Sequence, residues 1–97
     1  MQTIESVRRL VVPIVRQYGV KKAAVFGSVA KGNAHEDSDV DLLIDRGTLR
    51  SLWQFAGMVD DLEKALGVHV DVLTYDQLQD AFMGAPIGRE VVIYEEE

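Results

Sequence analysis

The chain has ninety-seven residues, 47% of them hydrophobic and 27% charged, with a formal charge of −6 and no cysteine. That fits one domain spanning 1–97 and leaves no room for a catalytic unit plus a separate recognition domain. The acidic balance argues against non-specific attachment to nucleic acid, which needs clustered Lys and Arg, and favours a basic protein surface or a divalent cation as partner. The apolar runs fall far short of the roughly 20 residues that cross a bilayer, and neither a secretory pattern nor a disulfide framework is present, so a cytoplasmic address is expected.

Ile4, Val7, Leu10, Val11, Ile14, Val15 and Tyr18 recur at three- and four-residue steps, which predicts an amphipathic helix over 4–18, weakened or kinked at Pro13 and ended by Gly19. Residues 22–26 read as a short buried strand closed by Gly27, and 40–44 as a second. Ser51 with Gln54 makes a capping-box pattern for a helix whose apolar side is Leu52, Phe55, Ala56, Val59, Leu62 and Leu66, with Gly67 as its stop. Trp53 and Met58 fall off that stripe and suit either a partner contact or packing by a neighbouring segment. A third strand is expected over 68–74. Thr74 and Gln77 form another capping-box pattern, opening a short helix around 78–83 that Gly84 and Pro86 end. A last, edge strand covers 90–94, followed by a solvated Glu95–Glu97 tail. The order implies an α/β (α+β) domain, a small mixed sheet of about four strands packed against helices.

Strand alternation places Asp39 and Asp41 on one face of the second strand, with Val40, Leu42 and Ile44 on the core side. On the third strand His69, Asp71 and Leu73 share a face opposite Val68, Val70 and Val72. If these two strands pair, Asp71 joins Asp39 and Asp41 in a three-carboxylate cluster whose repulsion divalent cations relieve. Oxygen ligands with room for water and phosphates favour Mg²⁺ or Mn²⁺. Gly27 and Ser28 follow the first strand directly, where a glycine admits close backbone approach and a helical turn aims free amides at an anion such as a triphosphate. These are the parts of a two-metal in-line phosphoryl displacement, with Asp71 near an incoming hydroxyl.

Gly27-Ser28, ten intervening residues, then Asp39-Val40-Asp41 resembles the signature of the minimal nucleotidyltransferases of the DNA polymerase β superfamily. Val70-Asp71-Val72-Leu73 matches the position of that family's third carboxylate, and the likeness extends over nearly the whole chain. Within the family the chain is most similar to MntA-type antitoxins. The resemblance implies a polymerase β-type nucleotidyltransferase fold, Asp39 and Asp41 binding both metals, and Asp71 binding the catalytic metal and helping to deprotonate the acceptor. It also implies that Gly27 and Ser28 hold the phosphates of ATP. The implied partner is a HEPN-domain ribonuclease toxin, held in a hetero-oligomer and inactivated by transfer of AMP to a tyrosine. One departure stands out: the family often carries Arg after Gly-Ser, where this chain has Val29. The nearest cation is Lys31, which has two readings, a phosphate contact or a solvated loop side chain.

An Asp-x-Asp pair alone is an ordinary strand-end feature, and it is the phosphate turn at fixed spacing and the isolated Asp71 that favour a metal–nucleotide site. Asp45, in phase with the pair, reads as a surface acid or ion-pair member beside Arg46 and Gly47. His69 is either a packed, hydrogen-bonded residue or a participant in the site. His35, Glu36 and Asp37 form the solvated rim of the preceding loop, and Tyr75 and Tyr94 read as core or rim residues. Two other functions remain open from the sequence: a non-catalytic antitoxin acting by stoichiometric binding, and nucleotide transfer to a small molecule.

Overall fold

The computed structural model describes residues 3–32, 39–77 and 90–96. Helix α1, Ile4–Gln17, starts at Thr3, whose hydroxyl accepts from the Ser6 N–H while the Ser6 hydroxyl accepts from the Thr3 N–H. This box satisfies donors that a helix start otherwise leaves unpaired. Val7, Val11 and Val15 are fully buried, each contributing about 1.5–3 kcal/mol relative to an exposed position. The helix runs without a break through Pro13, where the sequence predicts weakening or a kink. Pro13 lies on the exposed side, where water can solvate the carbonyl that its missing N–H leaves free.

Strand β1, Lys22–Phe26, leads into a five-residue helix α2, Gly27–Lys31. Strand β2 is Val40–Asp45, helix α3 is Leu52–Leu66 and strand β3 is Val70–Thr74. Strand β4, Glu90–Glu95, closes the chain. The sheet order is β3-β2-β1-β4. β1 runs antiparallel to β2 and β4, while β2 and β3 are parallel and joined through α3. The expected mixed four-stranded α+β architecture is therefore present, with β3 and β4 at its edges.

One face of the sheet supplies Ala23, Val25, Val40, Leu42, Ile44 and Val70 to a core closed by Val7, Val11 and Val15 of α1 and Met58, Leu62 and Leu66 of α3. The buried side of α3 is rotated from the sequence reading: Met58 is fully buried, whereas Leu52 is 81% exposed and Ala56 is exposed as well. Phe55, Met58, Leu62 and Leu66 keep the three- and four-residue spacing, so the stripe simply passes through Met58. Trp53 stays off it, 88% exposed.

Three boundaries shift. β3 starts at Val70, two residues later than expected, because Gly67 closes α3 in the left-handed region with φ 73° and donates its N–H to the Glu63 carbonyl. Glu95 belongs to β4 opposite Lys22 rather than to a free tail, and Glu96 donates its N–H to the Lys21 carbonyl. The Thr74–Gln77 box forms in both directions, at 3.1 and 3.2 Å, and opens a helical turn at 75–77. The helix expected at 78–83 and its stops Gly84 and Pro86 lie outside the described residues, as do His35, Glu36 and Asp37. Among the described residues no helix is long and apolar enough to cross a membrane.

Candidate active site

The second face of the sheet carries the polar chemistry. In the parallel β2–β3 pair Asp41 stands directly opposite Asp71, and the pairing begins with the Val40 N–H donating to the His69 carbonyl at 3.0 Å. Asp39, the residue before β2, is exposed and lies at this end of the pair. Ligand atoms of Asp39, His69 and Asp71 all fall within 4.8 Å of one another. The three carboxylates expected from alternation are thus brought together, Asp41 through Asp71 and Asp39 at the open end. His69 is added to them.

Asp41 is the most enclosed of the three acids, and burial raises its pKa first, followed by the charge and hydrogen bond of Asp71 and the charge of Asp39. Burial and the negative charge of its neighbours both disfavour the free Asp41 carboxylate, a cost that a bound cation relieves. The set fits a divalent ion on that ground: several oxygen donors at one open strand end, with their repulsion uncompensated by any Lys or Arg paired to them among the described residues.

Gly27 makes room for this arrangement. Its φ is 72° and a Cβ there would collide with the Asp41 carboxylate, so the turn between β1 and α2 needs a residue without a side chain. Gly27 and Ser28 open α2, whose first turn carries no acidic residue. The side chains of Ser28 and Lys31 lie outside the described part of the structure. Val29 is 2% exposed and packs in the hydrophobic core, so the position after Gly-Ser, where the resemblance leads one to expect Arg, is spent here on packing.

Asp45 ends β2 as an exposed acid and accepts from the Gly47 N–H at 3.1 Å, a turn contact away from the cluster. His69 is held at both ring nitrogens: Nδ1 lies 2.8 Å from Glu63 Oε2 and Nε2 lies 2.8 Å from Asp71 Oδ1. The hydrogen bond and charge of Asp71 raise its pKa most, with smaller contributions from Glu63 and Asp39. Glu63 Oε2 also accepts from the Val70 N–H at 3.0 Å, satisfying an amide of an edge strand. Sequence reasoning placed His69 on the face of Asp71 but missed Glu63. The only signal was its position four residues before Gly67, near the end of the helix that leads into β3.

The nucleotidyltransferase domain family matches residues 7–95. The protein adenylyltransferase MntA of Thermococcus cleftensis is 34% identical over 96 residues, covering 95% of this chain and 96% of its own. Among solved structures, a toxin–antitoxin complex with AMP-PNP superposes with a TM-score of 0.73 at 16% identity, over 93% of this chain and 74% of that one. A complex of the tri-AMPylated Shewanella oneidensis HEPN toxin with an MNT antitoxin gives 0.64 at 13% identity, over 95% and 72%. At those identities the structures speak for the fold alone, which this chain shares. With the family matched across almost its full length, this chain belongs to the nucleotidyltransferase domain family and has protein adenylyltransferases of the MntA type among its homologues.

Proposed function

We propose that the chain is the antitoxin of a HEPN/MNT toxin–antitoxin pair, a protein adenylyltransferase that moves AMP from ATP to a tyrosine of the HEPN ribonuclease toxin with Mg²⁺ or Mn²⁺ as the ion. The observation that carries this reading is the register of β2 and β3, which sets Asp41 opposite Asp71 beside Asp39, with Gly27 turned tightly against the Asp41 carboxylate. The similarity to a protein adenylyltransferase across 95% of the chain supports it, as does the shared fold of antitoxins crystallised with toxins.

Asp39, Asp41 and Asp71 are the residues that would hold the cation. Bound there, the ion supplies charge compensation for the triphosphate and for the departing pyrophosphate. Backbone amides at Gly27 and Ser28, at the acid-free start of α2, would take the nucleotide's phosphates. Asp71, more exposed than Asp41 and on edge strand β3, would be open to a protruding tyrosine of another protein. As the tyrosine oxygen bonds to the α-phosphorus, its proton passes to Asp71 and the bond to the β-phosphate oxygen breaks, leaving AMP on the tyrosine. The gene neighbour's product, purified and folded, should acquire label from ATP labelled at the α-phosphate when this chain and Mg²⁺ are present. Label that stays with the nucleotide would count against the proposal.

A further inference from the structure

We infer that His69 is a nitrogen ligand of this same cation site, set in place by Glu63, and that it biases the site toward Mn²⁺ over Mg²⁺. The inference rests on the cation-site reading above and assigns a residue that the three-carboxylate pattern leaves out. Its basis is the direction in which the imidazole is held. Glu63 Oε2 takes the Nδ1 side at 2.8 Å, and the same oxygen is anchored by the Val70 N–H at 3.0 Å, so the ring is fixed from behind by a carboxylate that is itself fixed. Nε2 then points into the acids, 2.8 Å from Asp71 Oδ1. A carboxylate on one imidazole nitrogen with the other directed at a cation is the arrangement by which proteins orient and strengthen histidine ligands; the Nε2 proton that faces Asp71 in the metal-free chain is released to solvent as the ion takes its place.

The spacing suits ligation. Neighbouring ligands of an octahedral ion with bonds near 2.1 Å lie about 3 Å apart and opposite ones about 4.2 Å. The donor atoms of Asp39, His69 and Asp71 all lie within 4.8 Å of one another, so small rotations of exposed side chains close the set. The His69 side chain is 59% exposed, so water and ions reach it and its replacement leaves no hole in the core. An imidazole among carboxylates also changes which ion is preferred: Mn²⁺ takes carboxylates as Mg²⁺ does but, as a first-row transition ion, also accepts a nitrogen donor, whereas Mg²⁺ is held by oxygen.

The test is Mn²⁺ binding to the full chain in nitrogen-free buffer without nucleotide, read by pulsed electron paramagnetic resonance for ¹⁴N coupling and by titration for affinity. The chain has two histidines, so His35→Gln serves as the control for His69→Gln, with circular dichroism confirming that both fold. The expected result is a ¹⁴N coupling in the wild type and in His35→Gln that disappears in His69→Gln, where the Mn²⁺/Mg²⁺ affinity ratio falls about tenfold. Glu63→Gln should keep the coupling and weaken Mn²⁺ binding by roughly tenfold or more. Mn²⁺ bound without ¹⁴N coupling, or a coupling that survives in His69→Gln, overturns the inference while leaving the carboxylate site intact. No Mn²⁺ binding by the wild type overturns both.

Discussion

At position 27 the missing side chain sets the geometry of the site, because the space a Cβ would fill is taken by the Asp41 carboxylate. Gly27→Ala should therefore cost about 1–2 kcal/mol of stability from the positive φ alone. By displacing Asp41 it should also lower nucleotidyl transfer on the order of 10²-fold, measured by thermal melting and by labelled AMP transfer. Asp41 carries a second consequence. Its folded-state pKa is raised, so its protonated form favours folding and that contribution is lost as pH rises through the raised value. Above that raised value, in chelator, the ionised Asp41 opposes folding, and there Asp41→Asn should melt at a higher temperature than the wild type, while transfer with metal present falls at least about 10²-fold. A lower melting temperature would show that Asp41 is stabilised in place by something other than a cation. The two-residue alternation made Asp39, Asp41 and Asp71 legible in the sequence. The Glu63–His69 contact was not, since it depends on how the end of α3 sits beside β3, and no local pattern states that.

Among the elements, α3 shows where local pattern stops. Its start at Ser51 and stop at Gly67 were readable, with the Ser51 hydroxyl accepting from the Gln54 N–H at 3.4 Å. Which residues face the core was settled by tertiary packing, which took Met58 and left Leu52 out. Met58→Ala should cost about 2–5 kcal/mol in chemical denaturation, whereas Trp53→Ser should stay within roughly 0.5 kcal/mol. A large loss at Trp53 would mean that its ring is covered in the folded chain. Pro13 teaches the same lesson in reverse: an element that propensity disfavours persists because α1 buries three valines on the opposite side. The Thr74–Gln77 box was legible from residue types alone, and removing the Thr74 hydroxyl by substitution with Val should cost about 1 kcal/mol.

Across the whole molecule, the two faces of the sheet divide the work. One is sealed by α1 and α3. The other is crossed by Tyr75, whose ring stacks with the Lys22 ammonium at 5.1 Å and whose hydroxyl donates to Glu90 at 3.4 Å, tying the end of β3 to β1 and β4. Burial and the charges of Glu90, Glu95 and Asp45 push its pKa up to about 12. The stability this gives is fully present below pH 10 and is lost as pH rises through about 12. Tyr75→Phe should therefore lose less stability than the wild type between pH 10 and 12, read by denaturant titration at each pH. An equal loss in both proteins would place the alkaline transition elsewhere. A sheet closed on one side and open at its acids on the other suits an enzyme whose acceptor is carried in by a second protein. The most direct measurement of that account is the mass of the proposed toxin partner, the gene neighbour's product, after incubation with ATP and Mg²⁺ and either the wild-type chain or Asp39→Asn/Asp41→Asn, with complex formation checked for both. The account predicts added AMP on a toxin tyrosine and rescued growth with the wild type alone, while both chains bind the toxin. Neutralisation by the double variant as complete as by the wild type would contradict it and leave a stoichiometric inhibitor in its place.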